Sequence, residues 1–155
     1  MVNKILKFRY LFKLFVFIPL IFYFGKRSYI AFDEGFYALQ ARWILEKGNW
    51  IIPLWWDEYV LDRTIGLQFL IAKSQDLFGR NIFSAYLPTT VASILMLFTT
   101  YKLHEELLNK KYAIISPLIL ATTYLWFDYS HLATQDIIYS CLVTIGVLAL
   151  VKIKS

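Results

Sequence analysis

Ile137-Ile138-Tyr139-Ser140-Cys141-Leu142-Val143-Thr144-Ile145-Gly146-Val147-Leu148-Ala149-Leu150-Val151 contains no charged side chain, and Lys152 and Lys154 close it. An apolar core of about 15–17 residues falls just short of the ~20 that cross ~30 Å of hydrocarbon, so flanking Tyr, Trp and Lys must complete the crossing. Three comparable runs lie upstream. Membrane spans are expected over about 10–29, 83–101, 112–127 and 137–151. Composition agrees with this reading: of 155 residues 59% are hydrophobic, 19% aromatic and 17% charged. Soluble domains average ~45–50% apolar and ~25% charged residues. The mean hydropathy is +0.54. The expected class is an all-α integral membrane protein with about four transmembrane helices.

The net charge of +5 is topological. Lys4, Lys7, Arg9 and Lys13 precede the first span, Lys102, Lys110 and Lys111 lie with Glu105 and Glu106 between the second and third, and Lys152 and Lys154 follow the fourth. Such grouping marks cytoplasmic flanks. It predicts both termini in the cytoplasm and two extracytoplasmic segments, about 25–82 and 128–136, in a multi-pass protein of a bacterial inner or plasma membrane. The long segment carries seven Lys or Arg, but long segments cross largely regardless of charge. No small-x-small site follows the first apolar run, so it is read as an uncleaved helix rather than a signal peptide. No contiguous basic patch exists for nucleic acid, and no ionisable residue sits mid-span as a transporter would need. Cys141 lies inside an apolar run and supports neither a disulfide framework nor a Cys-based metal site.

The long extracytoplasmic segment has structure of its own. Phe36, Tyr37, Ala41, Ile44 and Leu45 recur at helical steps, and Gly48-Asn49 signals a stop. A second amphipathic stretch covers about 64–78, with Gly79 ending it. Neither is long enough to span, and both are expected to lie in the interface with apolar side down. Trp50, Trp55, Trp56 and Tyr59 between them suit headgroup depth.

Several carboxylates stand at helix ends on this one side of the membrane. Their plain readings are local: Asp33 as an N-cap with Glu34 in the first turn, Asp62-Arg63 as a solvated ion pair, and Asp136 as a cap for the fourth span. His131 reads plainly as an interfacial polar residue. Convergence on one face argues for more than capping, because a site for a lipid-linked substrate would need acidic groups there.

The stretch from Asp33-Glu34-Gly35-Phe36-Tyr37-Ala38 through Gly48-Asn49-Trp50 to Pro53 resembles the first extracytoplasmic loop of GT-C glycosyltransferases that use polyprenyl-phosphate sugars. The protein O-mannosyltransferase and lipid A aminoarabinose transferase groups belong here. In register behind it, Asp62-Arg63 falls where that family carries an acidic-basic pair, usually Glu-Lys. Leu77-Phe78-Gly79, Ala85 and Leu87-Pro88 match its Leu-Phe-Gly and Ala-Arg-Leu-Pro, and Ala133-Thr134-Gln135-Asp136 matches its Ala-Arg-Thr-Asp-like segment. After the acidic-basic pair this chain reads Thr64-Ile65-Gly66 where many relatives have Pro-Pro-Leu.

The resemblance implies transfer of a sugar from a polyprenyl-phosphate donor to a lipid, glycan or protein acceptor on the extracytoplasmic face. It implies Asp33 as general base with Glu34 beside it. Arg42 and Arg63 become contacts for the lipid phosphate, and Asp62 and Asp136 groups that orient the acceptor. A divalent metal, used by some relatives, is a candidate cofactor, with Asp62 and His131 as candidate ligands. Membrane lipids are the other expected partners. Relatives have many more membrane helices and often a soluble C-terminal domain. This chain is therefore expected to be the N-terminal portion of such an enzyme, its remainder absent through truncation, gene splitting or frameshift, and to be inactive alone. The competing reading is a small non-catalytic four-helix membrane subunit or scaffold whose loop docks a partner.

Overall fold

The computed structural model describes residues 29, 33–60 and 64–154. The span expected over 10–29 lies outside the described residues except for Tyr29, which is not helical.

Helix α1, Asp33–Lys47, buries a stripe of Glu34, Tyr37, Ala41 and Ile44. These positions are separated by three, four and three residues, which places them on one side of a 3.6-residue helix. Gly48 stops the helix at φ +70°, its N–H donating to the Ile44 carbonyl at 3.0 Å, a left-handed closure that glycine adopts without strain. The Asn49 side chain then accepts from the N–H groups of Ile51 and Ile52 and turns the chain into a two-stranded hairpin, β1 Leu54–Trp55 against β2 Glu58–Tyr59. Trp56 (φ 52°) and Asp57 (φ 67°) form its turn, both in the left-handed region that such tight hairpins require. The Lys47 ammonium pairs with Asp57 at 2.8 Å, tying the turn to the end of α1. Phe36 stacks on Trp55 with ring centroids 4.5 Å apart, and Trp43 meets Trp55 edge-on.

Helix α2, Gly66–Phe78, packs between α1 and the next helix through Leu67, Ile71 and Ala72. Helix α3, Ile82–Leu107, begins at an Asn81 capping box, with Asn81 and Ser84 each accepting a backbone N–H from the other. Its 26 residues rise about 39 Å, enough to cross a bilayer. It runs further than the 83–101 expected. Lys102 and Glu105, a 2.7 Å pair at i,i+3, continue the helix through what reads in sequence as a charged turn. Helix α6, Asp136–Lys154, is the second helix of spanning length and composition among the described residues, and it packs extensively along α3.

The third expected span is not one helix. After a 3-10 turn at Lys110–Tyr112, residues 112–127 divide into α4, Ile115–Thr122, and α5, Tyr124–Tyr129, with Thr123 extended (φ −72°, ψ 124°) between them. The Thr122 and Thr123 hydroxyls bond to the Leu118 and Ile119 carbonyls, a back-bonding that competes with the helix ladder at the break. Two cores result. One joins α1, α2 and the start of α3 around Tyr37, Ile44 and Ile71, and the other joins α3 to α4, α5 and α6 around Leu97, Trp126 and Ile137.

Candidate functional site

The N-terminus of α1 is fastened to the end of the bundle by a buried carboxyl group. Glu34 is 1% exposed. Its Oε1 accepts the Ala133 backbone N–H at 2.7 Å, and its Oε2 accepts the Tyr86 hydroxyl at 3.4 Å. Tyr86 occupies the place of Arg in the Ala-Arg-Leu-Pro pattern, so here a neutral phenol donates to the carboxyl group from that position. Asp33, one residue earlier and about 100° around the helix, is exposed. The two adjacent carboxyl groups therefore have different surroundings: Glu34 links three segments, while Asp33 faces outward from the same end.

A second tie brings in the other candidates. The Thr64 hydroxyl hydrogen-bonds that of Tyr139. Asp62 and Arg63 lie outside the described residues, but Thr64 follows them directly. Ala133 and Tyr139 bracket Asp136, three residues to either side, so the segments at Asp33, Thr64 and Asp136 meet at the same end of the bundle. Asp136 is exposed in the first turn of α6 and lines a cavity of about 380 Å³ with Trp126, Tyr129 and Ser140.

Arg42 does not join this group. It is nine residues from Asp33 on the same helix, about 13 Å along the axis and about 180° around it. It lines a separate open cleft of about 420 Å³ with Gly35, Ala38, Gln75, Arg80 and Asn81. Both guanidinium groups donate to the same oxygen of Glu46, Arg42 at 2.8 Å and Arg80 at 2.9 Å. Sequence reasoning missed Arg80, since it is 34 residues from Glu46 and nothing local predicts the pairing. The Arg42 hydrogen bond, with that of Arg80, holds the Glu46 carboxyl below its usual range. A lowered folded pKa means this interaction is fully present above the ordinary carboxylate value and is lost as pH falls through the lowered one. The Glu46 carboxyl resonance is expected to titrate below the ordinary midpoint and to return toward it in Arg42→Gln. Equal midpoints would show that the pair does not persist in solution.

His131 is half-buried, its Nδ1 2.7 Å from the Phe127 carbonyl and its ring 4.8 Å from that of Phe127. Among the described residues no three His, Cys, Asp or Glu side chains cluster as a metal site. The other candidate ligand, Asp62, lies outside the described residues.

Residues 62–154 match the family described as dolichyl-phosphate-mannose-protein mannosyltransferase. Among curated proteins, the chain is 29% identical over 108 residues to an undecaprenyl phosphate-alpha-4-amino-4-deoxy-L-arabinose arabinosyl transferase of Enterobacter sp. (strain 638), covering 67% of this chain and 19% of the relative. It is 28% identical over 114 residues to the protein of the same name in Shewanella sediminis (strain HAW-EB3), covering 74% of this chain and 20% of the relative. The chain thus spans about a fifth of the length of these relatives. No solved structure matches it at a significant level.

Proposed function

The chain belongs to the dolichyl-phosphate-mannose-protein mannosyltransferase family, and from that premise we propose that it forms the acceptor-activating end of a membrane glycosyltransferase fed by a polyprenyl-phosphate sugar. The observation supporting this reading is the pair of long-range ties, Glu34 to Ala133 and Thr64 to Tyr139. They bring Asp33, Thr64 and Asp136 to one end of two membrane-length helices, and Asp62-Arg63 directly precede Thr64 in sequence. A donor anchored in the bilayer presents its phosphate at that level, where an exposed carboxylate can meet a hydroxyl arriving from water.

In this reading the Asp33 carboxylate takes the proton of the acceptor hydroxyl as its oxygen attacks the anomeric carbon. The new glycosidic C–O bond forms while the bond from that carbon to the phosphate oxygen breaks, and the electron pair leaves with the polyprenyl phosphate. Arg63 holds the phosphate oxygens, a task suited to the planar guanidinium fork. Asp62 and Asp136 orient the acceptor. Arg42 lies on the opposite side of α1 and contacts a part of a substrate remote from the reacting atoms. The reading keeps the N-terminus cytoplasmic and the 25–82 segment outside. The third crossing passes through α4 and α5, whose non-helical Thr123 lines the Asp136 cavity, a setting in which irregular backbone is tolerated at membrane depth.

Membranes of the native host and of a strain deleted for this gene provide the test, each supplied with radiolabelled polyprenyl-phosphate sugars. Label is expected to leave the lipid donor only in membranes that contain the protein. Identical transfer in both, for every donor offered, would remove the proposed activity.

A further inference from the structure

On another side of the bundle, α2, α3 and α6 enclose an open groove of about 370 Å³. Its walls are almost wholly hydrocarbon: Leu70 and Leu77 from α2, Leu87 to Leu95 along α3, and Ile138, Leu142 and Ile145 from α6. The α3 wall extends about 12 Å, long enough for a stretch of alkyl chain. Two polar groups interrupt it, both on α2. Ser74 is 8% exposed, and its buried hydroxyl has no hydrogen-bond partner among the described residues. Beside it, Lys73 holds its ammonium 4.1 Å from the centre of the Trp50 ring, with Asp76 at 3.9 Å. A Lys–Trp pair at the edge of an apolar wall is characteristic of headgroup depth.

We propose that this groove binds one acyl chain of an anionic phospholipid, whose phosphate meets the Lys73 ammonium at the groove's edge. The occupant differs from the sugar carrier of the proposed reaction for a geometric reason. Lys73 is seven residues along α2 from its start at Gly66, about 10 Å at helical rise, and no residue lining the groove also lines the Arg42 cleft or the Asp136 cavity. One phosphate cannot serve both the reacting end and Lys73. The site therefore stands whether or not the chain transfers sugar.

Native mass spectrometry of the full chain, titrated with phosphatidylglycerol or phosphatidylcholine, tests this. A one-to-one phosphatidylglycerol adduct is expected, favoured several-fold over phosphatidylcholine and weakened about five-fold in Lys73→Gln. It should be lost in Leu142→Trp, which fills the groove. Val143→Trp, on the same helix but not lining the groove, should keep it. Equal loss in both tryptophan variants, no loss in either, indifference to headgroup charge, or displacement of the adduct by an isoprenyl monophosphate would each overturn the proposal.

Discussion

Asp33→Asn is expected to lower sugar transfer by about 10²–10⁴-fold, the usual contribution of a positioned general base, with the protein reaching the membrane in undiminished amount. Asparagine keeps the size and the hydrogen-bonding carbonyl of the side chain, so it removes proton acceptance and little else. Asp33 is exposed at the start of α1, where an amide is a good substitute for a carboxylate as far as folding goes; loss of a favourable charge near a helix N-terminus costs only about 0.3–1 kcal/mol. Activity and stability are therefore predicted to separate at this position. The measurement is transfer of labelled sugar by membranes of the host carrying the variant gene, normalised to the amount of inserted protein. Full transfer by Asp33→Asn would refute the assignment of the base, and a scaffold without chemistry predicts that silent result.

The elements that sequence makes legible are those governed by local pattern. The 3.6-residue repeat and the Gly48 stop predict α1, and uncharged runs predict the cores of α3 and α6. The hairpin at 54–59 was not legible, because a left-handed two-residue turn is normally announced by Asn-Gly or Asp-Gly, whereas Trp56-Asp57 is held by Lys47 and by an edge-on ring contact between Trp56 and Trp43 of α1. The break at Thr123 escaped for a different reason: hydropathy averages over a window and does not register two hydroxyls turned back onto carbonyls. In the site, the sequence marks Asp33 and Asp136 by their places at helix starts. It also held an unused signal for Glu34. Extending the spacing of Tyr37, Ala41 and Ile44 backward by three residues lands on Glu34, so a carboxyl group on the buried stripe was predictable, although its partners at Tyr86 and Ala133 were not. The separation of Arg42 from Asp33 was equally available, since nine residues on a helix is half a turn out of phase.

Glu34 should respond to substitution in the opposite sense from Asp33. In Glu34→Ala the Ala133 N–H and the Tyr86 hydroxyl lose the carboxyl group they share, and a cavity opens at a site that is 1% exposed. An orphaned buried donor costs about 1–3 kcal/mol, and removing the buried methylene and carboxyl adds to that. A loss of about 2–4 kcal/mol is expected, concentrated where α1 meets the bundle, because Glu34 ties α1 directly to α3 and to the segment that leads into α6. It should appear as faster proteolysis near the exposed Gly48 and Ile51 and a lower inactivation temperature in detergent. Glu34→Gln retains an acceptor for Ala133 and presents an amide N–H to the Tyr86 hydroxyl, which can reverse its role and accept. Its cost should be about 1 kcal/mol, with most of the transfer activity preserved. The isostere at 34 thus tests the division of labour between the neighbouring carboxyl groups. If Glu34→Gln were as inactive as Asp33→Asn while remaining as protease-resistant as the parent, the charge on Glu34 would belong to the chemistry, and a clamp alone would no longer account for it.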